Sequence, residues 1–102
     1  MSPQNFAAGV AMKYVITFRL TTEHYEERIS RFLETGAQPP AGVTMLGRWF
    51  TLGHDRGFMV AQTDDPTNIF RWVAEWSHLI DFEVHAVLED HQVAEVLAAQ
   101  RS

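Results

Sequence analysis

Between Val43 and Thr63 the chain reads Val-Thr-Met-Leu-Gly-Arg-Trp-Phe-Thr-Leu-Gly-His-Asp-Arg-Gly-Phe-Met-Val-Ala-Gln-Thr, two apolar runs joined by a short polar link. Runs rich in β-branched and aromatic residues around Gly53-His54-Asp55-Arg56-Gly57 predict a β-hairpin, with a glycine at each end of the link to supply unusual backbone angles. Side chains alternate across a strand, so Val43, Met45 and Trp49 are expected on one face and Leu46, Phe50 and Leu52 on the other. Both faces are apolar. A strand wetted on one side alternates polar and apolar residues, so this hairpin requires two covers.

The flanking segments supply one of them. Met1 to Ala11, with Pro3 and Gly9 and no sustained period, reads as a loosely ordered extension, and a single domain is expected from Met12 to Ser102. Met12, Tyr14, Ile16, Phe18 and Leu20 alternate with Lys13, Val15, Thr17 and Arg19, which predicts a first strand. Thr21-Thr22 is expected to cap a helix with Glu23, Glu26 and Glu27 in its first turns and Tyr25, Ile29, Phe32 and Leu33 as its apolar stripe. Gly36 ends that helix, and Gln38 to Gly42 forms an extended connection to the hairpin. Asp65 as cap and Pro66 in the first turn start a second helix with Ile69, Trp72, Val73 and Trp76 on one side.

Leu79 to Leu88 reads as the last strand, with Ile80, Phe82, Val84, Ala86 and Leu88 on one face and Asp81, Glu83, His85 and Val87 on the other. Asp90 is placed to cap a short final helix through Gln100, with Val93, Val96 and Leu97 as its apolar side. The order β-α-β-β-α-β plus a C-terminal helix is the ferredoxin-like α+β pattern: a four-stranded antiparallel sheet with helices on one face. Two helices cannot cover both faces. At ~25 cal/mol per Å², several large side chains left wet forfeit several kcal/mol, comparable with the stability of a small domain. A second copy stacked sheet to sheet would close the bare face.

Composition narrows the partners. Thirteen acids against eight Lys and Arg give a net charge of -5, which opposes nucleic acid, where basic residues must displace counterions. Arg56-Gly57-Phe58 copies the opening of an RNA-recognition signature, but Met59, Val60 and Thr63 replace its small residue and later aromatics, so no stacking surface is expected. The absence of cysteine excludes disulfides and thiolate sites, and together with the lack of a secretory signal or membrane span it leads to a cytoplasmic expectation with no membrane partner. No phosphate loop, His-Glu-x-x-His or Gly-x-Ser-x-Gly is present, and His24, His78 and His91 have no metal-ligand spacing. No metal or cofactor is therefore expected.

Met12-Lys13-Tyr14, Arg31-Phe32-Leu33-Glu34-Thr35-Gly36-Ala37 with Pro39-Pro40, Met45-Leu46-Gly47-Arg48-Trp49, Thr63-Asp64-Asp65-Pro66, Glu75-Trp76-Ser77 and Asp81-Phe82-Glu83-Val84 together resemble domain-of-unknown-function family 3303. The resemblance implies a dimeric α+β barrel, two ferredoxin-like sheets packed face to face around an internal cavity, and implies no activity. Members often place a histidine after Gly-Arg-Trp. Here that position is Phe50, so any role of that histidine is absent from this chain unless His54 or His85 substitutes.

Two constellations are candidates for chemistry. Asp81, Glu83 and His85 form a row on one strand face, ~7 Å apart and too far for direct mutual hydrogen bonds. Pairing of the last strand with the first sets Lys13, Thr17 and Arg19 beside them. Buried inside a dimer, this face offers His85 or Glu83 as a catalytic base and Arg19 as an anion holder; left wet, it is a cross-strand charge ladder. Arg48 stands among Leu46, Phe50 and Leu52, where burial requires a carboxylate or a bound anion; the alternative is a rim residue with its head in water. Trp49, Trp72 and Trp76 read as core and interface, and His54 as a solvated turn residue.

The resulting expectation is a homodimer holding a small, mostly apolar organic molecule between sheet and helices, with cofactor-free isomerisation, cyclisation or oxygenation as the type of step. His85 and Glu83 are its catalytic candidates, and Arg48, Arg19, Thr17, Phe50, Trp49 and Tyr14 its ligand-binding candidates. A non-catalytic dimerising or ligand-sensing module is the other reading.

Overall fold

The structure, a computed structural model, describes residues 10–101, so most of the extension expected over residues 1–11 lies outside the described residues. Within them run β1 (Met12–Arg19), α1 (Tyr25–Thr35), β2 (Thr44–Phe50), β3 (Arg56–Thr63), α2 (Pro66–Trp76), β4 (Asp81–Val87) and α3 (Asp90–Arg101). The strands form one antiparallel sheet in the order β2-β3-β1-β4, the ferredoxin-like arrangement that the element order predicts. Tyr14, Ile16 and Phe18 of β1 and Met59 and Ala61 of β3 are buried on one face, where Ile69, Trp72 and Trp76 of α2 pack on them. Phe32 of α1 joins the edge of this core.

Local chemistry sets most element ends. The Asp65 carboxylate accepts from the Thr67 N–H at 3.0 Å and Pro66 occupies the first turn of α2, as expected. Gly36 closes α1 in the left-handed region at φ 71°, donating its N–H to Phe32 O at 2.7 Å. The start of α1 differs from expectation. Thr21-Thr22 does not cap it; the helix begins at Tyr25, after His24 at φ 62° with no side-chain cap. The Arg28 guanidinium takes the carbonyls of Thr21 at 2.8 Å and Glu23 at 3.4 Å, which holds this stretch as a turn and leaves Glu23 outside the helix. For α3 the cap is Glu89 rather than Asp90: Gln92 Oε1 accepts from the Glu89 N–H at 2.8 Å while Glu89 O accepts from the Val93 N–H at 3.1 Å.

The hairpin carries two corrections. Met45 stands opposite Ala61, but Gly47 rather than Leu46 stands opposite Val60, so Leu46 is an extra residue and a β-bulge. Beyond it Arg48 faces Met59, Trp49 faces Phe58 and Phe50 faces Gly57. Cross-strand partners share a face, so Met45, Arg48 and Phe50 point toward the helices and Trp49 points away. The strict alternation that grouped Met45 with Trp49 fails at that one residue. Leu46 and Leu52, expected under cover, are 50% and 106% exposed.

The glycines of the link do not supply its unusual backbone angle. His54 does, at φ 56°. Gly57 serves close approach instead: a Cβ there would meet the Phe18 ring at 2.5 Å and Trp49 O at 2.6 Å.

Candidate functional site

Between the sheet and the helices lies a cavity of about 440 Å³, within the range of small-molecule sites. Phe18, Phe50, Met59 and Phe82 form its sheet wall, Ile29 and Phe32 reach it from α1, and Trp72, Val73 and Trp76 from α2. Phe18 meets Phe50 and Phe82 edge to face at centroid distances of 5.6 and 6.4 Å, and Phe50 meets Phe32 the same way at 5.9 Å. Leu33, 77% exposed, belongs both to the cavity wall and to the surface, so the space opens to solvent beside α1.

Among the described residues three titratable side chains line this cavity, and all are basic: Arg28, Arg48 and His54. Arg48, half-buried, reaches over the Phe32 ring with its Cζ 5.4 Å from the centroid. Its Nη1 donates to Ala37 O at 2.9 Å and its Nη2 to Gly36 O at 3.0 Å. These carbonyls lie at the C-terminal end of α1, where the helix dipole favours a cation, so Arg48 ties β2 to that helix end. Withdrawal from water lowers its pKa from the usual arginine value.

Arg28 is buried and was not among the expected site residues. Besides Thr21 O and Glu23 O, its guanidinium approaches Leu79 O at 3.5 Å. A signal for it exists in the sequence: Tyr25, Arg28, Ile29 and Phe32 share one helix face, so a cation interrupts an apolar stripe. No carboxylate among the described residues forms an ion pair with Arg28 or Arg48; the pairs are Lys13–Glu89, Arg56–Asp55, His78–Glu27 and His85–Glu83. His54 is an exposed residue of the hairpin link, as expected, and it also belongs to the cavity wall, standing 6.4 Å from Phe50 and 6.1 Å from Tyr25, ring to ring.

The expected site residues therefore divide between the two faces of the sheet. Arg48 and Phe50 line the cavity, and Tyr14 is buried on the same face within the core. Thr17, Arg19, Trp49, Glu83 and His85 lie on the other face, with Thr17 opposite Glu83 and Arg19 opposite Asp81. The expected 7 Å row contracts at one point: His85 Nε2 is 3.6 Å from Glu83 Oε1, because the two exposed side chains lean together. An aromatic surface lies on the face that the helices leave bare. Trp49 stacks on Phe58 at 5.3 Å with 28° between the rings, an arrangement produced by the bulge, and the two remain 51% and 44% exposed. Of the tryptophans, Trp72 and Trp76 are core, as expected.

The last helix leaves this second face open. None of the α3 residues is buried, and Val93, Val96 and Leu97 are exposed on it. The Lys13–Glu89 contact at 2.9 Å holds the start of α3 to β1, and the Glu89 carboxyl lies below its usual pKa chiefly because Lys13 donates to it. No helix among the described residues is long and apolar enough to cross a membrane.

Sheet order and helix placement define a ferredoxin-like α+β protein, with an aromatic cavity between sheet and helices. The chain belongs to the domain-of-unknown-function family DUF3303, which it matches over residues 12–101. Among solved structures it is similar to a conserved protein of unknown function from Bacteroides thetaiotaomicron, described as a possible oxidoreductase. That likeness has 11% identity, a TM-score of 0.52, and covers 78% of this chain and 98% of the other. It is also similar to MtbAldR, at 15% identity and a TM-score of 0.55 over 81% of this chain and 57% of that one. At such identities these likenesses show the fold. A comparison with curated proteins returned no match.

Proposed function

We propose that this protein binds a small, mostly apolar organic molecule in the cavity between sheet and helices, as a homodimer stacked through the open sheet faces. The single observation that carries the binding reading is the cavity of about 440 Å³, walled by aromatic rings and reached by few polar groups. The dimer is supported by the open face. Trp49 and Phe58 each keep about half their surface in water, roughly 200 Å² together, and covering it is worth about 5 kcal/mol per protomer before the cost of association.

A cofactor-free isomerisation, cyclisation or oxygenation in this cavity would draw on His54 and Arg48, two of the three titratable groups at its wall. The non-catalytic reading is favoured by one particular observation: His85 and Glu83, the expected acid–base candidates, lie across the sheet from the cavity. A fluorescence titration with the neutral dye N-phenyl-1-naphthylamine tests binding. We expect saturable enhancement at one dye per chain, removed by Val73→Trp, which fills the cavity from α2. Enhancement that survives in a folded Val73→Trp variant, or none in the native protein, would refute the cavity as the site.

A further inference from the structure

We infer that the cavity is built for an organic anion: a planar aromatic body ending in one carboxylate, with the carboxylate set against the guanidinium of Arg48. This rests on the reading of the cavity as a binding site and names the class of ligand it takes.

The argument begins with charge. The whole chain carries a net charge of -5, yet among the described residues no acid lines the cavity and three basic ones do. A surface drawn at random from this composition would show as many acids as basic residues, since thirteen Asp and Glu stand against eight Lys and Arg and five His. Arg28 is buried and Arg48 half-buried, and their partners are carbonyl dipoles and the rings of Tyr25 and Phe32, with no carboxylate among them. A cation removed from water without a counter-ion is costly, and the attraction of an arriving anion grows in the same low-dielectric surroundings that create the cost. Arg48 commits two of its five N–H donors, to Ala37 O and Gly36 O, which leaves three uncommitted. Those two bonds also fix the guanidinium, so little side-chain entropy remains to be lost when a carboxylate docks.

The body of the ligand follows from the rest of the wall. Phe18, Phe32, Phe50 and Phe82 present edges and faces in a connected series, with Trp72 and Trp76 opposite on α2. Flat walls of this kind favour a flat guest.

Calorimetric titration of the full-length protein with 2-naphthoate and with its neutral isostere 2-naphthamide tests the inference. The native protein should bind the acid at least about tenfold more tightly than the amide. In Arg48→Gln that ratio should fall to near one, and Arg48→Lys, which keeps the charge, should restore part of it. Both probes meet the same walls, so general loosening of the variant weakens both, whereas loss of the guanidinium weakens only the acid. Equal affinity for acid and amide in the native protein overturns the anion assignment and leaves the binding reading standing. No binding of either probe at millimolar concentration overturns both.

Discussion

Deletion of Leu46 should be tolerated, although it removes a residue from within a β-strand. Removing any residue from a regular strand turns every side chain on one side of the deletion to the opposite face. At Leu46 the reverse holds. Partner numbers on β2 and β3 sum to 106 at Met45↔Ala61 and to 107 at Gly47↔Val60, so deleting the one extra residue restores a continuous ladder and leaves Met45, Arg48 and Phe50 facing the helices. The loss is half of one leucine's burial, roughly 1 kcal/mol, since Leu46 is 50% exposed. A regained ladder hydrogen bond offsets about 0.5–1.5 kcal/mol of that. The net change should stay within about 1 kcal/mol, or roughly 4–8 °C in melting temperature.

Deletion of Val60 is the control. It leaves one half of β3 inverted, so Met59 or Ala61, both nearly inaccessible, must turn outward; the cost of several kcal/mol approaches the stability of a domain this size. Thermal unfolding followed by circular dichroism, at one protein concentration for all variants, separates the two. A Leu46 deletion that melts as early as the Val60 deletion would refute the register argument, and with it the orientation of Arg48.

Further outcomes follow from the same contacts. Phe58→Asp places a charge in the Trp49 stack on the open face, and light scattering should change from twice the chain mass to the single mass; a native protein already monomeric at micromolar concentration would remove the proposed assembly. Gly57→Ala pushes a methyl group against the Phe18 ring and Trp49 O, an overpacking that should cost about 1–3 kcal/mol by denaturant unfolding, and an unchanged midpoint would mean that Phe18 has room to shift. The Asp65 carboxyl lies below its usual pKa because the Thr67 hydroxyl and N–H both donate to it. A depressed folded pKa contributes stability that is present above the unfolded value of about 3.9 and is lost as pH falls through the lower folded value. Asp65→Asn keeps a capping oxygen but cannot titrate, so its unfolding free energy should fall less steeply below about pH 4 than that of the native protein; superimposable acid limbs would contradict this.

Much of the fold is legible in local pattern. The alternation from Met12 to Leu20 gives β1 and its buried face, because a residue two positions away on a strand is always on the same side. Asp65-Pro66 and Gly36 mark helix ends because they act on the backbone within a few residues of themselves. The candidate site was legible only in part. Arg48 and Phe50 were recognisable as polar and aromatic neighbours on one strand, but the face they occupy depends on Leu46 finding no partner on β3, and a bulge is a property of two strands together. Arg28 was missed because what holds it is the convergence of carbonyls from Thr21, Glu23 and Leu79, the last 51 residues away.

The sequence by itself thus determined the order of elements and the side of β1 that is buried. Each of these follows from periodicities and backbone preferences that act over a few neighbouring residues. Only the tertiary structure decided that Arg48 turns toward the helices while Trp49 turns away, that His85 and Glu83 stand across the sheet from the cavity, and that among the described residues no acid shares that cavity with its three basic side chains. Those outcomes are set by strand register and by contacts between segments far apart in the chain, which no local period encodes.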